Sequence, residues 1–179
     1  MTRFVTGAGL TLAALLVAAA PAVADVSARA SGGGQFFNEL RYRASSVLAP
    51  QAGNTYGVEN LFDGSDRTAW CEGVAGNGAG ERITVSFGGQ AAPLRLLIKN
   101  GYAKNEAVYF DNARPRTVEV RTSTGAAWRT QLANGTGWQQ IALGGDWVEW
   151  VSLTIVDTYA GAKWADTCIN EIQVDFEGY

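Results

Sequence analysis

Two segments far apart in the chain hold the residue types best suited to chemistry: Asn60-Leu-Phe-Asp-Gly-Ser-Asp-Arg-Thr-Ala-Trp-Cys-Glu-Gly73 and Asp166-Thr-Cys-Ile-Asn-Glu171. Each carries one of the chain's two cysteines and sets carboxylates beside Thr or Asn. If Cys71 and Cys168 meet, a set of hard oxygen donors meets with them. Asp63-Gly-Ser-Asp-Arg-Thr68 is the sharpest part of this pattern. A hard cation such as Ca²⁺ takes roughly six to eight oxygens at flexible geometry. Asp63, Ser65, Asp66 and Thr68, around an easily turned Gly64, supply several from one short loop. The ligand spacing of an EF-hand is absent. The other reading of the same residues is a polar turn, in which Asp63 accepts from nearby backbone N–H groups.

The chain has no histidine. That excludes Ser-His-Asp and Cys-His nucleophilic sites and histidine-bound zinc, and leaves carboxylates, Lys and Tyr as candidate acids and bases. Glu72 and Glu81 are of the type that glycoside hydrolysis uses, but their spacing is not a motif, and no enzymatic activity is expected. Gly76-Asn-Gly-Ala-Gly80 looks only superficially like a dinucleotide loop, because it precedes a strand pattern instead of joining a strand to a helix. Asn134-Gly-Thr136 matches a glycosylation acceptor but reads more simply as a hairpin tip.

The aromatics divide by setting. Trp70, Trp138, Trp147 and Trp150 sit in or beside strand patterns and read as packing residues. Tyr102, Tyr109, Tyr159 and Trp164 lie in Gly- and Asn-rich segments close to Asn112, Arg114 and Asp157. An aromatic face beside amides and charges suits a sugar ring, which packs its C–H face and finds polar partners for its hydroxyls. These residues are therefore candidate glycan contacts, with ordinary loop structure as the alternative.

Whether the cysteines pair depends on compartment. Arg3, the apolar run Leu10 to Ala20 and the small-residue stretch Ala22-Val-Ala24 read as a secretory signal peptide over residues 1–24, with Ala28-Arg-Ala30 as a second cleavage candidate. The apolar run is too short for a membrane span. A secreted or periplasmic location follows, and there two cysteines most simply form one disulfide. Closing a loop of roughly a hundred residues contributes about 4 to 5 kcal/mol in the loop-entropy picture. Removing the signal takes away only Arg3, so 14 basic against 17 acidic residues becomes 13 against 17, and the net charge moves from −3 to −4. An acidic chain without a basic run argues against nucleic acid and anionic lipid as partners.

The elements that must position these residues are strands. Ile83, Val85 and Phe87 alternate with Arg82, Thr84 and Ser86, and the same period of two recurs in Leu94 to Ile98, Thr117 to Arg121, Val151 to Ile155 and Ile172 to Phe176. Gly88-Gly89, Asn100-Gly101, Thr124-Gly125, Asn134-Gly135 and Gly144-Gly145 read as turns between them. The best helical candidate is a single turn near Val58 to Phe62. The pattern predicts an all-β sandwich of about eight antiparallel strands. Residues 25–35 read as a flexible, Gly-rich leader, and 36–179 as one domain.

Arg43-Ala-Ser-Ser-Val-Leu-Ala-Pro50, Asn60-Leu-Phe-Asp-Gly64, Thr68-Ala-Trp-Cys-Glu-Gly73, Ile98-Lys-Asn-Gly-Tyr102, Asn112-Ala-Arg-Pro115 and Asp166-Thr-Cys-Ile-Asn-Glu171 resemble the NADase-type glycan-binding domain. This is a discoidin-like module of the coagulation factor 5/8 type C, or galactose-binding-like, class. The resemblance implies a jelly-roll sandwich and noncatalytic binding of a glycan or cell-surface polysaccharide. It also implies a structural Ca²⁺ held by the Asn60 carbonyl, Asp63, the Ser65 carbonyl, Thr68 and Glu171. The resemblance does not extend to a catalytic NADase domain, and NAD cleavage is not expected of these residues. A protein-interaction or envelope-adaptor module on the same fold is the alternative.

Overall fold

The computed structural model describes residues 26–30 and 40–176; the expected signal peptide, the leader apart from 26–30, and residues 36–39 and 177–179 of the expected domain lie outside the described residues. Ten strands are described: β1 (Val26–Ala30), β2 (Leu40–Ala44), β3 (Trp70–Cys71), β4 (Arg82–Ala91), β5 (Arg95–Asn100), β6 (Arg114–Thr122), β7 (Ala127–Gln131), β8 (Trp138–Ala142), β9 (Val148–Tyr159) and β10 (Cys168–Asp175). A 3-10 turn covers Val58–Leu61, and one short helix, α1 (Glu106–Asp111), lies between β5 and β6. The strands form two antiparallel sheets, one of six in the order β1-β2-β4-β9-β6-β7 and one of four in the order β3-β10-β5-β8.

Period-two alternation decides what faces inward. From the larger sheet Tyr42, Ile83, Val85, Phe87, Val118, Val120, Val151, Leu153 and Ile155 are buried, and they pack with Trp70, Leu96, Ile98, Ile141, Ile169 and Ile172 of the smaller one. Fully burying an aliphatic or aromatic side chain of this kind contributes about 1.5–3 kcal/mol, so the two-faced patterning holds the layers together. Trp70 closes the core at the β3 end, its indole N–H donating to the Ser46 carbonyl at 3.0 Å.

Three expectations are corrected. Val26–Ala30 is a strand paired with β2 from Val26↔Ala44 to Ala30↔Leu40, not leader. Val26 has an apolar side chain, and β2 offers it a free edge of backbone N–H and C=O groups. Gly88-Gly89 is not a turn: β4 runs through it to Ala91, with a break in register between Ser86 and Ala91, and Gly88 takes a left-handed φ of 71° there. The helix α1 was not anticipated, because six residues are too few to show a helical period.

β3 is only two residues long and lies against the start of β10, where Cys71 stands opposite Cys168. The two are joined by a disulfide across the strand pair, with Cα atoms 4.1 Å apart and a sequence separation of 97. The bond ties the segment holding Asp63 to the strand holding Glu171, at the loop end of the sandwich.

Candidate functional site

At that loop end the polar turn forms as one of the two readings expects. Gly64 takes a φ of 71°, which a side chain would resist. This brings Asp63 Oδ1 to the Ser65 N–H at 2.9 Å and Asp63 Oδ2 to the Thr68 hydroxyl at 2.7 Å. The turn is then joined to β10. Ser65 N–H also donates to Glu171 Oε1 at 3.0 Å, and the Asn170 amide donates to the Ser65 carbonyl at 3.1 Å and to the Thr68 carbonyl. Asn60 donates both hydrogens of its side-chain NH₂ to the Thr55 and Ala69 carbonyls, both at 2.9 Å, so what it can offer a cation is oxygen. Asp66 points away and pairs with Lys99.

Glu171 is out of balance in this setting. It is 2% exposed, and its Oε2 has no hydrogen-bond partner. Burial, followed by the hydrogen bond and the negative charge of Asp63, raises its carboxyl from the ordinary 4.5 to about 7. Its charge also adds to the effect of burial in pushing the neighbouring Tyr42 hydroxyl up. Two carboxylates side by side with an orphaned oxygen are costly without a cation. The donor set of Asp63, Glu171, carbonyls and the Thr68 hydroxyl is the hard-oxygen type that Ca²⁺ takes. Among the described residues no group of three or more Asp, Glu, Cys or His stands together. A cation here would therefore lean on neutral oxygens for most of its shell.

Beside this turn lies a cleft of about 370 Å³, assembled from three loops. Its floor is Tyr56 and Tyr102, edge to face with ring centroids 6.3 Å apart and packed over the disulfide. The Tyr102 hydroxyl donates to the Arg67 carbonyl at 3.0 Å, and burial pushes that hydroxyl up, so it stays a donor. Asn54, Lys104, Asn112 and Asp166 supply the polar lining, and Lys104 Nζ donates to Asn54 Oδ1 at 3.3 Å. Trp164 lines the same cleft with 57% of its surface exposed.

Of the candidate glycan contacts, the structure brings Tyr102, Asn112 and Trp164 into this cleft. The others build something else. Arg114, 4% exposed, is sandwiched among the rings of Tyr109 (4.7 Å), Phe110 (5.2 Å) and Tyr159 (5.6 Å). Its Nε donates to Asn134 Oδ1 at 2.7 Å and its Nη1 to the Asn112 carbonyl at 3.1 Å. Tyr159 donates to the Leu132 carbonyl at 3.0 Å, and Asp157 accepts from Arg116 Nε at 2.6 Å, which lowers its carboxyl. Gly101 makes room for this knot: its φ is 75°, and a Cβ there would lie 2.5 Å from the Tyr109 ring. Arg114, Tyr159 and Asp157 thus fasten loops together, while Tyr109 and the exposed Phe110 line a separate opening on the other side of α1.

Sequence reasoning missed Asn54 and Lys104, which carry no motif, and it read Asp166 as part of the cysteine segment, not as a wall of the cleft; the three meet only in the fold. Trp138 and Trp147, read as packing residues, are 46% and 65% exposed, because β8 is a sheet edge and Trp147 precedes β9 in a loop. Glu72 is buried and accepts the N–H groups of Thr167 (3.1 Å) and Val74 (2.8 Å), while Glu81 accepts the Ser45 hydroxyl (2.6 Å) and that of Ser46. Both hold loops, and neither lines the cleft.

Two antiparallel sheets with the long loops gathered at one end define a discoidin-like β-sandwich. The fold is similar to the family 32 module of C. perfringens NanJ solved with galactose, at 14% identity and a TM-score of 0.56 over 75% of this chain and 92% of that one. It is similar also to chitosan-binding module 1 from a chitosanase/glucanase of Paenibacillus sp. IK-5, at 19% identity and 0.54 over 74% and 92%. A third likeness is to part of the arabinofuranosyltransferase AftD from Mycobacteria, at 16% identity and 0.59 over 83% of this chain and 11% of that one. No curated protein matches. Within that class the chain belongs to the family described as the NAD glycohydrolase translocation F5/8 type C domain, whose pattern matches residues 37–175.

Proposed function

We propose that this chain is an exported, noncatalytic module that takes a glycan into the cleft between Trp164 and Tyr102, stiffened by a structural Ca²⁺ in the neighbouring Asp63 turn. One observation carries the reading: a largely exposed indole standing over a cleft that is polar along its walls and aromatic on its floor. A sugar ring needs this combination, and Lys104 with Asp166 gives the cleft one charge of each sign, so it has no strong preference for a charged ligand. The galactose-bound and chitosan-binding neighbours support it at the level of the fold. The disulfide supports export, since such bonds persist mainly in oxidising compartments. In the cation site Asp63, Glu171, Thr68 and the carbonyls of Asn60 and Ser65 would be the ligands, and the ion would supply charge balance and rigidity, not reactivity.

Affinity electrophoresis on immobilised neutral glycans tests the reading. Wild type should be retarded by at least one glycan, and Trp164→Ala should lose that retardation while melting at the same temperature. Absence of retardation on every neutral glycan would overturn it. A second reading, a protein adaptor, is favoured by the family's description as a translocation domain and by the exposure of Trp138 and Trp147 away from the cleft. It predicts that Trp147→Ala, not Trp164→Ala, weakens capture of the partner.

A further inference from the structure

The outer face of the six-stranded sheet carries a charge that the linear sequence hides. Alternation turns Arg41 and Arg43 of β2, Arg82 of β4 and Arg121 of β6 to the outside, and the order β2-β4-β9-β6 sets these strands side by side. All four guanidinium side chains line one groove of about 540 Å³, whose lining includes no carboxylate among the described residues. Arg121 is balanced by Glu119 at 2.6 Å. Neither Arg41 nor Arg82 has an ion-pair partner among the described residues. The net charge of the chain is −3, so this is a local concentration of cations on an otherwise acidic protein. No basic run appears in the sequence because the arginines come from separate strands.

Between the arginines the groove floor is Thr84, Ser86, Ser152 and Thr154, with the ring of Trp150 at one end. Four strands span about 14 Å at the usual spacing, longer than a single sugar and suited to a short run of them. Guanidinium forks match carboxylate and sulfate groups, the hydroxyls match sugar hydroxyls, and one indole gives one ring a face to lie on. Single-stranded nucleic acid is held by successive stacking aromatics, and here there is one. An interfacial membrane surface is built with exposed apolar side chains among its cations, and among the described residues no aliphatic side chain lines the groove.

We propose that this face is a second binding site, for an acidic polysaccharide whose carboxylate or sulfate groups are taken up by Arg41 and Arg82 and one of whose rings packs on Trp150. The site is separate from the Trp164 cleft and shares no lining residue with it.

The test is binding of the full chain to polygalacturonate, to heparin and to neutral dextran, measured at low and at raised NaCl. Single-stranded oligonucleotide and phosphatidylglycerol vesicles run in parallel. The expected result is binding to at least one acidic polysaccharide and none to dextran, weakened steeply by salt. The double variant Arg41→Ser with Arg82→Ser should bind at least about tenfold more weakly, the loss of roughly one charge-assisted hydrogen bond. Both positions are exposed, so an unchanged melting midpoint checks that the variant folds. Trp164→Ala should leave acidic binding unchanged, which keeps this result independent of the reading for the cleft. No binding to either acidic polymer, equal binding by the double variant, or tighter binding of oligonucleotide or vesicles would each overturn the proposal.

Discussion

Glu171 carries the most informative single charge in the chain. Without a cation its carboxyl is raised to about 7 from 4.5 by burial and by Asp63, so the folded state holds a proton that the unfolded state releases. The stability from this group is complete below about 4.5 and is lost as pH rises through about 7, to the extent of roughly 3 kcal/mol. A bound divalent cation reverses the sign, because it favours the ionised carboxylate. In EDTA, melting midpoints should therefore fall between weakly acidic and neutral pH, and excess Ca²⁺ should raise the neutral-pH midpoint and remove the fall. Glu171→Gln should melt at least as high as wild type in EDTA at neutral pH and gain nothing from Ca²⁺. Wild-type midpoints that are equal in EDTA and Ca²⁺ at neutral pH would exclude the cation. Arg114 gives a second prediction at this scale. Its planar guanidinium lies among three rings and reaches Asn134. Lysine keeps the charge but neither the plane nor the fork, so Arg114→Lys should cost about 2–3 kcal/mol in denaturant unfolding, although Arg114 does not line the proposed glycan cleft.

The pairing of β3 with β10 depends on the disulfide more than on its own hydrogen bonds, since β3 has two residues and the bond closes a separation of 97. Reduction, or Cys71→Ala with Cys168→Ala, should cost up to about 4–5 kcal/mol in urea unfolding. It should also weaken Ca²⁺ binding, because the Asp63 turn and Glu171 are then held together only by the Ser65 and Asn170 contacts. A variant that keeps wild-type stability would mean the loop entropy is recovered elsewhere. Elements such as β4, β6 and β9 were legible in the sequence because a half-buried strand writes its environment as a period of two. The cysteine pair was legible by counting. β1 was not, since Ser27, Ala28 and Ala30 are small and the strand is held by the edge of β2. Nor was α1, whose start is set by the Asn105 side chain accepting the Val108 N–H at 2.9 Å, a cap with no helical period behind it. The cleft escaped for a different reason. Its lining comes from Asn54, Tyr102 and Trp164, whose proximity is a product of topology, and aromatic loop residues alone did not separate Trp164 from the buried Tyr109 and the half-buried Tyr159.

Across the whole molecule, the sandwich presents two surfaces of opposite physical character, and their response to salt should separate them. The Trp164 cleft contains one Lys and one Asp, and in the proposed reading it would hold its ligand through ring contact and neutral hydrogen bonds. The outer sheet face would bind through its exposed arginines. Exposed charges are screened over a Debye length of about 8–10 Å near physiological salt, shrinking to about 3 Å at 1 M. Packing and neutral hydrogen bonds change little over the same range. Binding of a neutral glycan should therefore stay within about twofold from low salt to 1 M NaCl, while binding of an acidic polysaccharide falls away. Because no residue lines both sites, the two sets of substitutions should also be additive. Trp164→Ala should remove the salt-insensitive component alone, and Arg41→Ser with Arg82→Ser the salt-sensitive component alone. A titration of both ligand types against both variants at two salt concentrations reads this out directly. Neutral-glycan binding that collapses with salt, or that weakens when the arginines are removed, would mean that the cleft and the sheet face form one site, and the division drawn from their linings would be lost.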